Sequence, residues 1–349
     1  MVNPKSKTIK KSSKKVVKKS KPSLENIIID SSKKILDETK DILLETGNIA
    51  VATGKTIIET GKNVVDFIKR IRGEEIYAND INKKREPVNI ICLKYGTAYS
   101  AEYVNKLFNM VMTNITIPFR FYCFTDNVDG IDPRVIIKPI PELRGSDGKS
   151  ITGFTRWNKE AGLCNDDLGG YDLRGKRVLF LDLDVIITDT IDSFFSYHKS
   201  DEEFIIIKDW SKGKKNVKYG QASCYAFKVG TLGDIKKYYE ENADTVHKKY
   251  KLDAQYFLSD MITKKFGYLK FWPDEWVQSF KYHCLPINVL RWIKTPKLPH
   301  DAKIICFQGY PNPEDAIIGR WAPKGQKVPF LKRWYKHVRP TKWIADYWK

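Results

Sequence analysis

Apolar and polar positions divide the 349-residue chain into three zones. The first 22 residues have no apolar rhythm and hold nine lysines, with no acidic residue before Glu25. Such a stretch cannot bury enough apolar surface to order itself, and it reads as a disordered tail. From Ser23, a plausible N-cap, to about residue 72 a period of seven appears. Apolar residues recur at Ile29, Leu36, Leu43, Ala50, Ile57, Val64 and Ile71. Ser32, Thr39, Thr46, Thr53, Thr60 and Phe67 follow each of the first six by three, and Thr-Gly recurs at Thr46-Gly47, Thr53-Gly54 and Thr60-Gly61. A single helix over this segment would be about 70 Å long. A strong coiled coil prefers Leu or Ile where threonine stands here. The repeat reads as a weak amphipathic helix, suited to a lipid surface, to self-association or to a spacer.

Residues 73–87 are polar and read as a linker. From Val88 the pattern changes to apolar runs of strand length alternating with helix-length segments, the signature of an α/β domain, here 88–320. Strands are expected at Val88–Lys94, Phe119–Phe124, Arg134–Lys138, Arg177–Ile187, Phe204–Lys208, Ser223–Lys228 and Ile304–Phe307. Helices are expected at Ser100–Thr113, Trp157–Asn165, Gly230–Ala243 and Asp253–Lys264. Arg144–Phe154 reads as a Gly/Ser loop, and 321–349 as a basic, aromatic C-terminal segment.

Net charge is +19; without the nine tail lysines +10 remains, which favours anionic partners. The tail could also strengthen peripheral contact with an anionic membrane. No nucleic-acid reader motif occurs. The six cysteines are scattered with no C-x-x-C pair, arguing against a zinc cluster and for buried free thiols in a reducing, cytoplasmic setting. No apolar run is long enough for a transmembrane helix, and the basic N-terminus lacks the apolar core of a signal peptide.

Chemistry concentrates in Lys176–Asp192, KRVLFLDLDVIITDTID. Asp182 and Asp184 interrupt an apolar run, where carboxylates are costly unless compensated. In an extended chain both would point the same way, and two converging carboxylates suit a hard divalent cation, Mg²⁺ or Mn²⁺. Thr97, Asp126 and Asp184 all fall at strand ends, where open α/β sheets bind ligands.

The ordered segments VNIICLKYG, FRFYCFTDN, TRWNK, LFLDLDVIITDTID, FWPDEWVQSF and FQGYPNP resemble GT-A fold glycosyltransferases of the glycogenin and lipopolysaccharide galactosyltransferase-like group, over about Val88–Pro313. The resemblance implies a Rossmann-like nucleotide-diphospho-sugar transferase domain, a nucleotide-sugar donor with UDP-sugar favoured, and Mn²⁺ or Mg²⁺. It also implies a glycan, protein or lipid acceptor and a retaining outcome. It assigns the metal to Asp184 and Asp182, with Asp182 also on the ribose. The turn Leu93–Thr97, with Tyr95, would hold base and ribose; Asp126 would sit near the base, and Arg156 and Lys159 near phosphate or base. Asp253 and Gln255 would contact donor sugar or acceptor, and Asp274 would line the acceptor side; an N-cap role for Asp253, a turn role for Asp274 and a plain surface charge for Arg156 are the alternatives. Gln308 stands where relatives carry a metal-binding histidine, and Asn312 where they often carry a basic residue for phosphate. Amide oxygen is the weaker ligand for Mn²⁺. The five histidines share no ligand spacing.

Two rivals remain at this level. One is a haloacid dehalogenase-like phosphatase using Asp182 as nucleophile. The other is a non-catalytic transferase-like protein that binds anionic partners.

Overall fold

The computed structural model describes residues 86–151, 156–170, 172–200, 202–210 and 218–349. The lysine tail, the heptad segment and all but the last two residues of the linker lie outside the described residues.

The strands form two sheets. In the larger, β3 (Ile136–Lys138), β2 (Phe119–Thr125), β1 (Val88–Lys94), β4 (Arg177–Leu181), β7 (Gly220–Lys228), β6 (Ile205–Lys208) and β8 (Lys270–Phe271) lie side by side in that order. β1 pairs in parallel with β2 and β4, β3 with β2, and β8 with β6. β7 is antiparallel to both neighbours. The smaller sheet is β5 (Val185–Ile187), β10 (Ile304–Cys306) and β9 (Val277–Ser279), with β10 antiparallel to β5 and parallel to β9. This is a mixed α/β fold with a parallel-rich sheet, as expected.

Strand alternation feeds two cores. Ile90 and Cys92 face one side of the large sheet, packing with Val104, Leu107 and Phe108 of helix α1 (Ala101–Thr113) and with the small sheet. Ile91 and Leu93 face the other. There they meet Trp157 of α2 (Trp157–Glu160), Ile235 and Tyr239 of α3 (Gly233–Tyr250), and Phe257 of α4 (Ala254–Phe266). A sheet buried on both faces reads as continuous apolar runs, which is how β1, β2 and β4 appear in the sequence.

One expectation is corrected. Arg177–Ile187 is not a single strand: β4 ends at Leu181, and β5 begins at Val185 in the other sheet. Asp182-Leu183-Asp184 is the link between sheets. Its backbone is held from both sides, Asp182 N–H donating to the Ser223 carbonyl at 2.9 Å and the Asp184 carbonyl accepting from Phe307 N–H at 3.0 Å. The helix expected at Trp157–Asn165 also shortens, to α2 followed by a 3₁₀ turn at Gly162–Cys164.

The C-terminal segment divides. Ile344 and Trp348, within and just after α6 (Trp343–Tyr347), are buried in the first core, whereas Trp334 is exposed. All six cysteines are buried and unpaired. No helix among the described residues is long and apolar enough to cross a membrane.

Candidate functional site

A cavity of about 750 Å³ opens where β1 and β4 end and β7 begins, the edge at which parallel strands present their carboxyl ends. Its wall brings together nine of the residues singled out from the sequence: Leu93, Tyr95, Arg156, Lys159, Asp182, Asp184, Asp253, Gln255 and Gln308. Thr97, Asp126 and Asp274 are not on that wall. Thr97 is exposed in the turn after β1. Asp126 braces the same turn, its carboxylate accepting Gly96 N–H at 3.0 Å. Gly96 has φ +59°, a conformation a side chain would strain. Asp274 pairs with Lys208 at 3.3 Å and is largely exposed.

The link residues take different partners. Both Asp182 carboxylate oxygens accept from the Lys159 ammonium, at 3.2 and 3.0 Å. Asp184 Oδ2 accepts from the Tyr99 hydroxyl at 3.0 Å. Burial, and then the charge of Asp182, push the Asp184 carboxyl up to about 7. The Tyr99 hydroxyl is pushed up in turn, by burial and then by Asp184, so it is held as a donor.

Lys159 also reaches Glu160 Oε1 at 3.4 Å. Burial alone would lower the Lys159 pKa, but the Asp182 and Glu160 carboxylates outweigh it and raise it, keeping the lysine charged. Glu160, on the same wall, is pushed up to about 7 by burial against the pull of Lys159. Its Oε2 is buried with no hydrogen-bond partner among the described residues.

Other expected residues serve the frame here. Arg156 Nη1 donates to the Leu252 carbonyl at 2.6 Å and ties down the α3–α4 connection. Asp253 stands at the N-cap of α4 without a side-chain capping bond and is exposed. The backbone carbonyl of Gln255, in the first turn of α4, accepts from the Ser259 hydroxyl at 2.8 Å. Gln308 Oε1 accepts from the Ser279 hydroxyl at 2.7 Å, so a cation at that oxygen would compete with an existing bond. Asn312 is the N-cap of α5 (Pro313–Ile317), off the cavity wall.

Besides His247, four polar wall residues were missed in the sequence: Tyr99, Glu160, Gln221 and Ser223. The last two lock each other on β7: Gln221 Nε2 donates to Ser223 Oγ at 2.8 Å and Gln221 Oε1 accepts Ser223 N–H at 2.9 Å. That fixes the carbonyl to which Asp182 is tethered. His247, one of the five histidines without ligand spacing, reaches the wall and stacks on Trp157 with ring centroids 4.8 Å apart.

As metal ligands, Asp182 and Asp184 are hard oxygen donors one residue apart on one wall, the chemistry Mg²⁺ or Mn²⁺ takes. Among the described residues no cluster of three His, Cys, Asp or Glu side chains is arranged to hold a metal. Two carboxylates fit a cation whose remaining ligands come from substrate oxygens and water.

No protein-family model matches the sequence, and no curated protein matches it. Solved structures do. The chain is similar to a galactosyltransferase, LgtC, solved with donor and acceptor sugar analogs, at 14% identity over 65% of this chain and 89% of that one, TM-score 0.41. It is similar to the glycosyltransferase GlyE of Streptococcus pneumoniae TIGR4, at 12% identity over 74% of this chain and 63% of that one, TM-score 0.44. A third is mouse xyloside xylosyltransferase 1, at 8% identity over 63% and 98%, TM-score 0.41.

Proposed function

We propose that the chain is a glycosyltransferase of GT-A type that moves a sugar from a nucleotide-sugar donor to a glycan, protein or lipid acceptor, with Asp182 and Asp184 holding Mn²⁺ or Mg²⁺. The observation that carries this reading is the convergence of Asp182, Asp184 and Lys159 on one cavity at the carboxyl ends of parallel strands. The motif resemblance supports it as well, since four of its six segments contribute residues to that wall.

When bound, the cation offsets negative charge building on the departing diphosphate. The protein's own groups do the rest. Lys159 orients Asp182 and brings positive charge to the wall. Tyr99 fixes one oxygen of Asp184, leaving the other to ligate. Leu93 and Tyr95 offer an apolar and aromatic surface for base and ribose. Asp253 and Gln255, on the α4 side, offer polar groups to the sugar or acceptor; Asp253 is free to do so because it makes no capping bond. Retention of anomeric configuration, a UDP-type donor and acceptor contact near Asp274 rest on the resemblance.

The test is nucleotide release from UDP-, GDP- and CMP-sugars, with and without Mn²⁺ or Mg²⁺, against Asp182→Ala/Asp184→Ala. Metal-dependent release of one nucleotide, reduced at least about 100-fold in the double variant, is expected. If no donor is hydrolysed and none binds by calorimetry with metal present, the transferase reading fails. Release of inorganic phosphate from phosphate esters by way of Asp182 would favour the phosphatase instead.

Peripheral contact with an anionic membrane is a secondary part of the reading. Exposed Ile287, Val289 and Ile293 beside Lys294 and Lys297, and exposed Phe330 and Leu331 beside Lys332 and Arg333, support it.

A further inference from the structure

The cavity wall carries Asp182, Asp184, Glu160 and Asp253 against Lys159 and Arg156. Lys159 is already shared between Asp182 and Glu160, and Arg156 is tied to a backbone carbonyl. The divalent cation held by Asp182 and Asp184 offsets part of a diphosphate's charge, but neither the lysine nor the arginine of the wall is uncommitted, and like charges at a few ångströms repel strongly where water is scarce. Asn312 supplies no cation and lies off the wall.

A second cation source stands on the small-sheet side. Lys281 lies in the π-helical turn Phe280–Cys284 that follows β9. Lys281 is not itself a wall residue, but its Nζ donates to the carbonyl oxygen of Gln308, and Gln308 and Gly309 are wall residues. Gly309 has no side chain to cover the ammonium; a Cβ there would stand 3.7 Å from Lys281 Nζ. The charges of Lys336 and Arg291 act against the same half-buried ammonium, with Asp184 as the acid opposing them. Among the described residues neither Lys281 nor Lys336 forms an ion pair with a carboxylate. Burial, then Lys336, hold the Lys281 pKa below the ordinary lysine value, the mark of a cation held in place without a full counter-charge.

We infer that Lys281, backed by Lys336, is the anion-binding group that holds the donor diphosphate from the Gln308–Gly309 side of the cavity. The inference rests on the transferase reading of this cavity, and it names a residue that neither the motif pattern nor strand ends reveal. Lys281 acts here by binding phosphate oxygens, not by transferring a proton.

The test is calorimetric titration of UDP, GDP and CDP, and of the matching nucleosides, into the full chain, with and without Mg²⁺ or Mn²⁺. Parent, Lys281→Met, Lys281→Arg and Lys336→Met are compared. Lys281→Met is expected to weaken nucleoside diphosphate binding about tenfold or more, as loss of a charge-assisted bond does, while nucleoside affinity stays within about twofold. Lys281→Arg should retain most of the diphosphate affinity, and Lys336→Met should lose a smaller part. A Lys281→Met protein that binds the diphosphate as tightly as the parent overturns the inference and leaves the transferase reading standing. Equal loss of nucleoside and diphosphate binding, or a lowered thermal midpoint with no rescue by Lys281→Arg, assigns Lys281 a structural role and also overturns it. A parent chain that binds none of the three diphosphates overturns both.

Discussion

Glu160 shows how much one buried side chain can control. Its carboxyl is pushed from 4.5 up to about 7 by burial, partly opposed by Lys159. Below pH 4 folded and unfolded chains both hold the proton. As pH rises the unfolded chain ionises first, so the native state loses stability until about pH 7, and no further loss follows from this group. A shift of that size corresponds to about 3 kcal/mol. Glu160→Gln removes the ionisation and keeps the shape. Urea unfolding should find the variant close to the parent at pH 5 and more stable by about 2–3 kcal/mol at pH 8. If the 3.4 Å contact with Lys159 is worth more than the buried charge costs, the variant will instead be the weaker protein at pH 8. Asp182 and Asp184 were legible in the sequence because they break an apolar run. Glu160 was not: in Trp-Asn-Lys-Glu it reads as an ordinary helix-surface acid, and only the packing of α2 against the sheet buries it. Lys281 escaped for a related reason, since its significance comes from Gln308, 27 residues away in sequence.

At the scale of elements, β6 and β7 approach each other closely next to the cavity residue Gln221. Gly220 opens β7 opposite Lys208, beside the register shift between Ile206 and Ile207. A Cβ on Gly220 would come within 2.6 Å of Ile206 Cγ2, closer than any real contact. Gly220→Ala should therefore cost about 1–3 kcal/mol, read as a lower denaturation midpoint. Ile206→Ala made with it should recover part of that loss, so that the two changes are not additive. Additive losses would mean that the strands simply move apart. Strand existence was legible wherever both sheet faces are buried: β1 was bounded to the residue, and β2 to within one. The break inside Arg177–Ile187 was not, because the residues on either side of the aspartates are equally apolar. What divides them is pairing with β7 and β10, contributed from far along the chain, and local composition carries no trace of it. β8 (Lys-Phe) and β9 (Val-Gln-Ser) were missed because neither carries an apolar run, whereas β3 and β10, no longer than β9, each open on Ile-Ile.

Across the molecule, the first core joins the large sheet, α1, the small sheet and the C-terminal segment. Trp348 is its last member. It meets Tyr103 edge-on with centroids 5.3 Å apart, and the Lys106 ammonium lies 4.3 Å above its ring. Tyr103 in turn packs on Tyr99 at 4.7 Å, and Tyr99 donates to Asp184. Three aromatic rings thus connect the C-terminal segment to the candidate metal ligand. Removing a buried tryptophan leaves a cavity its surroundings only partly fill, at a cost of about 3–5 kcal/mol. Trp348→Ala should lower the unfolding midpoint accordingly, and it should also loosen Tyr99. Without that donor, Asp184 loses the hydrogen bond that favours its charged form, so Mn²⁺ binding should weaken and shift to higher pH. Trp334→Ala is the control, because that ring is exposed and apart from this chain of contacts. A Trp348→Ala protein that is less stable but binds Mn²⁺ with unchanged affinity and pH dependence would confine the segment to a packing role. A change in both would make the C-terminal tryptophan part of what positions the site.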